Sequence, residues 1–140
     1  MGHFTDIRAL AFDLDGTLTD SIPGLAEAIN LTLKTLSFPA ASVDQITTWV
    51  GNGADVLVER ALTHALGRTP TATDFGQARQ LFASYYAQTA EHGSALFPAV
   101  EETLRTLHQQ PLPMAIVTNK PTPFVAPLLE SLGIADMFSL

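Results

Sequence analysis

The sequence has 140 residues, a formal net charge of −7 and no cysteine, which excludes disulfide bonds and thiolate metal sites. Apolar residues make up 46% and charged residues 15%, a balance that favours a packed core over disorder. The negative charge predicts that neither nucleic acid nor an acidic membrane surface is a partner. Apolar runs are shorter than the ~18 residues of a membrane span and no signal peptide is evident, so we expect a cytoplasmic protein.

The first predicted element is a strand at Arg8–Leu14, whose nearly continuous apolar run is typical of a parallel sheet buried on both faces. Asp13 and Asp15 end this strand, and Gly16 allows a sharp turn after them. Residues i and i+2 of an extended chain point to the same side, so both carboxylates should face one pocket at the carboxyl end of the strand. Such a pair can form a divalent-metal site, an acid/base pair, or a nucleophile with an acid/base partner.

A block of four helices is predicted between Ser21 and Ala95. The first begins at Ser21 or Ile22 with Pro23 in its first turn, where a missing N–H does no harm. A capping box predicts the second helix, the turn Gly51-Asn52-Gly53 precedes the third, and the third stops at a glycine. Spacing alone predicts four aromatic core residues in the fourth helix: Phe75, Phe82, Tyr85 and Tyr86.

Beyond this block, the sequence predicts a helix opened by Phe97-Pro98, a strand at Met114–Thr118 and a last helix to about Leu132. Pro127 inside that last helix predicts a late start or a kink. A third strand is expected to begin at Met137. The element order predicts an α/β fold in which residues 1–20 and 96–140 form the core and residues 21–95 form an inserted helical cap.

Two competing motifs fail at particular positions. An EF-hand loop that starts at Asp13 would place Leu18 at its sixth position, where glycine is needed. A loop that starts at Ala11 would place Ile22 at its twelfth position, where glutamate is needed. The Gly51–Gly53 turn fails as a dinucleotide fingerprint because it follows no strand and Val56 replaces the third glycine.

The segment FDLDGTL at residues 12–18 resembles the first motif of the haloacid dehalogenase-like phosphatases. Met114–Thr118 resembles their second motif, an apolar strand ending in Thr or Ser, and the helical insert resembles their C1-type cap. WVGNGA, FPAVEETL and VTNKP extend the resemblance essentially from Arg8 to Leu140. It implies a Rossmann-like parallel-sheet core, here incomplete, with an inserted α-helical cap.

The resemblance also implies a mechanism. Asp13 would attack the phosphorus of a small phosphorylated substrate and become an aspartyl phosphate, while Asp15 would act as the acid and then the base. Mg²⁺ would be held by the Asp13 side chain and the Asp15 backbone carbonyl, and the Thr118 hydroxyl and Asn119 N–H would bind phosphoryl oxygens. Dehalogenases of this family lack the second aspartate, so Asp15 argues for phosphate chemistry.

Substrate contacts are expected from the cap loop and from Lys120. Gly51, Asn52 and Gly53 offer free N–H groups at a helix start, and these groups would bind the leaving group of the substrate. The alternative is that the loop is a plain turn between helices with no role in binding. Lys120 would contact a substrate anion or the cap, and a solvated loop lysine is the alternative.

The resemblance further implies a third motif with a lysine and a fourth with an acidic cluster. After Thr118 the sequence supplies only Glu130 and Asp136 as acidic residues, neither at the end of a further strand. We therefore expect the N-terminal part of a longer phosphatase, inactive alone and able to self-associate through an open sheet edge. Two alternatives stay open: another capped phosphatase or phosphomutase acting on a sugar phosphate or nucleotide, and a non-catalytic half-domain that pairs with another chain.

Overall fold

A computed structural model describes residues 3–139. The elements in chain order are β1 (Leu10–Phe12), β2 (Thr19–Asp20), α1 (Ile22–Thr35), α2 (Val43–Trp49), α3 (Ala54–Leu66), α4 (Ala72–Thr89), β3 (Ala95–Leu96), α5 (Val100–His108), β4 (Met114–Ile116) and α6 (Val125–Ser131). Short 3-10 turns cover Thr122–Phe124 and Ala135–Met137. The α/β class predicted from the sequence is confirmed.

The parallel pair β1–β4 carries both predicted motifs. Leu10 lies opposite Met114 and Phe12 lies opposite Ile116, so the two strands end side by side. The expectation that β1 is buried on both faces is wrong for residues 3–139, because Ala11 is exposed. Among these residues β1 has one neighbouring strand, β4, which leaves its other edge unpaired, and the face of the sheet that carries Ala11 is exposed as well.

A second, antiparallel pair joins the core to the cap, and the sequence did not predict it. Thr19 of β2 lies opposite Leu96 of β3, and Asp20 lies opposite Ala95. The two strands are the segments by which the chain leaves the core for α1 and returns after α4. Strands of two residues have no measurable periodicity, so pattern analysis cannot detect them.

The four helices of the cap form where the sequence predicts them. Pro23 lies in the first turn of α1, and Leu25, Ile29 and Leu33 make its buried stripe against α4. The Ser42 hydroxyl accepts a hydrogen bond from the Gln45 N–H at 3.2 Å and so caps α2.

The start of α4 is held by a reciprocal capping box. The Asp74 N–H donates to the Thr71 hydroxyl at 3.1 Å, and the Thr71 N–H donates to the Asp74 carboxylate at 2.9 Å. The Thr71 backbone bond, followed by the Arg68 side chain, lowers the pKa of Asp74. The box therefore fixes the first turn of the helix that carries Tyr86.

The C-terminal segment resolves two expectations. The last helix starts late, as predicted, with Val125 as its first residue, so that Pro127 falls in the first turn and opposes no helical hydrogen bond. A 3-10 turn occupies Ala135–Met137, where a strand was expected to begin. The chain becomes extended one residue later, and the Ser139 N–H donates to the Met114 carbonyl at 2.8 Å. Leu140, the end of that expected strand, lies outside the described residues.

The buried apolar side chains form two clusters. The core cluster includes Leu14, Leu104, Met114 and Leu128, and the cap cluster is drawn from residues 25–90. Phe124 of the core packs against the cap cluster. Within residues 3–139 no helix is both long and apolar enough to cross a bilayer. The division at residues 20/21 and 95/96 stays a prediction.

Candidate active site

The carboxyl ends of β1 and β4 place the two predicted motifs next to each other. The Val117 N–H donates to the Phe12 carbonyl at 2.8 Å, which extends the pairing to the residues just before Asp13 and Thr118. Asp13 and Thr118 therefore leave adjacent strand ends. This edge is where open α/β sheets place their ligands.

The turn after Asp13 winds around one buried carbonyl group. The backbone N–H groups of residues 17, 18 and 19 all donate to the Leu14 carbonyl, at 3.2, 2.9 and 3.1 Å. Gly16 takes φ +81°, a left-handed conformation that glycine adopts without a steric cost. The Thr17 hydroxyl donates to Asp13 Oδ2 at 3.1 Å. Asp13 is thus held at an exposed position while Leu14 is fully buried beneath it.

The Asp15 carboxylate accepts hydrogen bonds from two sides. The Ser21 hydroxyl, next to the first residue of α1, donates to Asp15 Oδ1. Lys120 Nζ lies 3.2 Å from Oδ1 and 3.4 Å from Oδ2 of the same carboxylate. The Ser21 hydroxyl in turn lies 2.9 Å from the Thr19 hydroxyl. The Asp15 side chain therefore has a fixed orientation, whereas Asp13 remains open to a ligand.

The loop after β4 contributes a hydroxyl, an amide and an ammonium. The Lys120 N–H donates to Thr118 Oγ1 at 3.0 Å, so the Thr118 hydroxyl proton is left to point elsewhere. Asn119 is exposed, whereas the Lys120 side chain is only 2% exposed. The three consecutive residues thus place one neutral donor group at the surface and one cation in the interior.

The cap loop lies over this edge. Gly53, with φ +91°, lies next to Asn119: a Cβ built on it would be in ordinary van der Waals contact with the Asn119 Cβ, at 3.8 Å. Arg60 of α3 donates to the Trp49 carbonyl at 3.0 Å and so holds the start of the loop. Gly51 and Gly53 line the cavity described next, whereas Asn52 does not.

A cavity of about 100 Å³ separates the cap from the strand ends. The predicted site residues that line it are Asp13, Asp15, Gly51, Gly53, Thr118, Asn119 and Lys120. Apolar cap residues, among them Leu25, Leu57 and Phe82, form its other wall. Among the cavity-lining residues that the structure describes, Lys120 is the one cationic side chain. This charge is already paired with Asp15, and the Asp13 carboxylate lines the same cavity, so the lining offers an anionic ligand no unpaired positive side chain among the described residues.

Burial changes the acid–base properties of two groups in this cavity. It lowers the pKa of Lys120, and the Asp15 carboxylate opposes that shift. Burial, followed by the Asp15 charge, raises the pKa of Tyr86 well above its usual range. The phenol therefore keeps its proton at neutral pH.

The residues present fit part of a magnesium site. Within residues 3–139 there is no group of three or more His, Cys, Asp or Glu side chains arranged to hold a metal. The Asp13 carboxylate and the Asp15 backbone carbonyl are hard oxygen ligands, which Mg²⁺ prefers. Because Mg²⁺ is usually bound by one or two carboxylates, water and substrate phosphate, these oxygens suit it.

Three residues at the site were not predicted to act there. Ser21 was assigned only to the start of the first helix, Tyr86 was assigned to the cap core, and Phe124 was not singled out. Phe124 and Tyr86 pack edge to face, with ring centroids 5.1 Å apart. Local spacing gave no sign of these contacts, because they join residues distant in the chain.

A family model for haloacid dehalogenase-like hydrolases matches residues 7–140. The chain belongs to this family of hydrolases. The predicted resemblance to its first and second motifs is thereby confirmed.

Within the family, the chain is similar to proteins named phosphoglycolate phosphatase. It is 61% identical to the one from Pectobacterium atrosepticum over 140 residues, which is all of this chain and 59% of that relative. It is 50% identical over 156 residues to the one from Escherichia coli K12, with 62% of that protein covered. The chain thus spans 59–62% of the length of these two relatives.

Solved structures show the same fold. A crystal structure from Haemophilus somnus, described as a predicted phosphoglycolate phosphatase, matches with a TM-score of 0.90 and 42% identity over 98% of this chain and 62% of that one. A haloacid dehalogenase-like hydrolase from Streptococcus pneumoniae matches with a TM-score of 0.83 and 29% identity, covering 97% of this chain and 60% of that one.

Proposed function

We propose that this chain supplies the nucleophile and the cap of a Mg²⁺-dependent phosphatase that hydrolyses 2-phosphoglycolate in the cytoplasm. The observation that carries the proposal is the meeting of Asp13, Asp15 and Thr118 in one cavity beneath the cap. A nucleophile, an acid/base group and a phosphoryl-oxygen donor are what phosphomonoester hydrolysis requires. The names of relatives at 50–61% identity support the choice of substrate.

In the proposed reaction, a carboxylate oxygen of Asp13 attacks phosphorus as the bond from phosphorus to the substrate oxygen breaks. Asp15 starts the cycle protonated and gives this proton to the departing oxygen, which leaves as the hydroxyl of glycolate; the resulting Asp15 carboxylate is the form that pairs with Lys120. Water then attacks the phosphorus of the Asp13 acyl phosphate, and Asp15 takes the proton from this water. Inorganic phosphate leaves, and both carboxyl groups return to their starting states.

The two motif loops, which leave adjacent strand ends, would both bind the phosphoryl group. The Thr118 hydroxyl, which accepts a bond from the Lys120 N–H, still has its own proton to donate to a phosphoryl oxygen. The exposed Asn119 N–H would be a second donor. Mg²⁺ at the Asp13 carboxylate and Asp15 carbonyl would offset the repulsion between the carboxylate and the phosphate.

The other end of the substrate would face the cap. The cavity volume of about 100 Å³ favours a small leaving group. Gly51 and Gly53 bring backbone groups of the cap loop to this space, where their N–H groups could meet the carboxylate of the leaving group. A short acid such as glycolate matches the size of the space.

The proposal is tested by comparing substrates of the complete polypeptide that contains this sequence. Phosphate release is measured with 2-phosphoglycolate, glucose 6-phosphate and a nucleoside monophosphate, with Mg²⁺ and with a chelator. We expect kcat/KM to be highest for 2-phosphoglycolate by at least about tenfold, and to vanish with the chelator. A preference for a sugar phosphate or nucleotide would assign another phosphatase, and an isomeric sugar phosphate as the product would assign a phosphomutase.

The 140-residue chain alone is expected to show little turnover and to self-associate. Two protein oxygens hold a metal weakly, and the uncovered edge of β1 is a template for strand pairing. Two large apolar side chains beside the sheet add to this tendency: Ile7, before β1, is 49% exposed, and Val117, after β4, is 66% exposed. Sedimentation velocity between low and high concentration should show a rising mass. Full Mg²⁺-dependent turnover by a monomer would contradict this prediction, whereas absence of turnover in the complete polypeptide as well would favour the non-catalytic half-domain.

A further inference from the structure

Tyr86 of α4 does more than fill the cap. Its side chain is 2% exposed and packs on Phe82, with ring centroids 5.4 Å apart, and on Phe124. Its hydroxyl group nevertheless reaches past this apolar cluster and accepts a hydrogen bond from Lys120 Nζ. The Tyr86 hydroxyl, near the end of α4, thus contacts Lys120 in the loop after β4.

Lys120 depends on Asp15 and Tyr86 to satisfy its charge. A buried ammonium group is costly unless its N–H groups are hydrogen-bonded. Within residues 3–139, Nζ hydrogen-bonds the two oxygens of Asp15, at 3.2 and 3.4 Å, and the Tyr86 hydroxyl, and it also lies 4.6 Å from the centroid of the Tyr86 ring. The hydroxyl supplies the hydrogen bond that draws the ammonium to the cap side of Asp15, and Tyr86→Phe removes this bond while keeping the ring.

We propose that Tyr86 is a positioning residue that acts through Lys120 on the orientation of Asp15. The connection Tyr86–Lys120–Asp15 runs from the cap to the end of β1, so it exists only while α4 lies over the strand ends. Phe124 strengthens it, because the same core loop that carries Lys120 also packs on the Tyr86 ring. The proposal rests on the proposed function, in which Asp15 transfers the proton.

A labelling experiment tests the connection without any turnover. The sequence has two lysines, Lys34 and Lys120, and Lys34 is exposed at the end of α1, where it serves as an internal reference. Acetylation rates at both are measured by mass spectrometry in the wild type and in Tyr86→Phe. We expect the ratio of Lys120 to Lys34 labelling to rise about fivefold, the change produced by the loss of one hydrogen bond of ordinary strength.

The neighbouring tyrosine provides a matched control. Tyr85 hydrogen-bonds Thr35 at 2.6 Å on the exposed side of the same helix. Tyr85→Phe removes an equivalent hydroxyl one residue away, and we expect it to leave the labelling ratio unchanged. A wild-type ratio in Tyr86→Phe, or an equal rise in both variants, would overturn the proposal. Tyr86→Phe keeps the ring, so its packing on Phe82 and Phe124 is preserved.

Kinetics on the complete polypeptide separate positioning from a structural role. With 2-phosphoglycolate, Tyr86→Phe should lower kcat about tenfold with little change in KM. With acetyl phosphate the loss in the phosphorylation step should be smaller, because its leaving group needs no proton.

In a Lys120→Met background the effect of Tyr86→Phe should disappear. Equal losses with both substrates, or an undiminished effect without Lys120, would contradict the proposal. Absence of phosphatase activity in the wild type would refute the proposed function and leave the labelling result standing.

Discussion

Gly93→Ala is expected to destabilise the protein by at least about 3 kcal/mol, because the new methyl group would overlap backbone atoms that cannot move aside. A Cβ built on Gly93 lies 2.2 Å from the Gly24 Cα and 2.5 Å from the Gly24 nitrogen. It also lies 2.7 Å from the Thr89 carbonyl oxygen. None of these atoms is at the end of a flexible side chain.

Hydrogen bonds fix the two segments at this crossing. The Gly24 N–H donates to the Gly93 carbonyl at 3.0 Å, and the Gly93 N–H donates to the Thr89 carbonyl at 2.9 Å. The buried Thr89 hydroxyl donates to the Gly24 carbonyl at 2.9 Å. Separating the segments to admit a methyl group would break these bonds as well, which adds to the steric cost.

Gly76→Ala is the matched control for this substitution. Gly76 lies inside α4, and a Cβ built there meets no atom within 4 Å. Alanine in a helix interior is favoured over glycine, so this variant should gain about 0.5–1 kcal/mol. Urea unfolding midpoints and slopes of both variants against the wild type provide the measurement. A Gly93→Ala protein as stable as the wild type would show that the two segments separate easily.

The same crossing explains how the cap is held over the site. Gly24 lies just after β2, where the chain enters the cap, and Gly93 lies just before β3, where it returns. Their close approach and the β2–β3 pair fix the two connecting segments against each other. The position of Tyr86 and the cap loop relative to Asp13 depends on this junction.

The sequence predicted the parts of this protein that depend on local patterns. Apolar spacing, capping residues and proline or glycine signals together predicted the six helices, and proline chemistry predicted the late start of α6. The position of Asp13 and Asp15 at the end of a strand predicted that they share a pocket, because side chains at i and i+2 of an extended chain point to the same side, which is a local property.

Contacts between distant residues were not predictable in the same way. The close approach of Gly24 and Gly93 requires knowledge of both segments at once, and glycine alone signals only local flexibility. Spacing assigned Tyr86 to the buried face of α4, which is correct for its ring. A helical period gives the face of a residue but not the partner of its hydroxyl, so the contact with Lys120, 34 positions away, was missed. The exposure of Ala11 depends on what packs against that face of the sheet, which the sequence of a single strand does not encode.

Asp13→Asn is expected to lower the phosphatase activity of the complete polypeptide by at least about 10⁴-fold, because an amide oxygen cannot take the place of the attacking carboxylate. The fold should be retained. Asp13 is exposed, and the bond that it accepts from the Thr17 hydroxyl is one that an asparagine oxygen can accept too. We therefore expect the free energy of unfolding to change by less than about 0.5 kcal/mol.

Asp136→Asn makes the same change of charge at an exposed position that does not line the cavity, and it should keep wild-type activity.

Asp15→Asn separates the two steps of the reaction. With acetyl phosphate this variant should still be phosphorylated, because the leaving group needs no proton, but it should lose the base that activates water. Phosphate should therefore accumulate on Asp13 in Asp15→Asn and be absent from Asp13→Asn, as mapped by mass spectrometry of digested protein. Phosphate on any other residue, or turnover by Asp13→Asn above about 1% of wild type, would assign the nucleophile elsewhere.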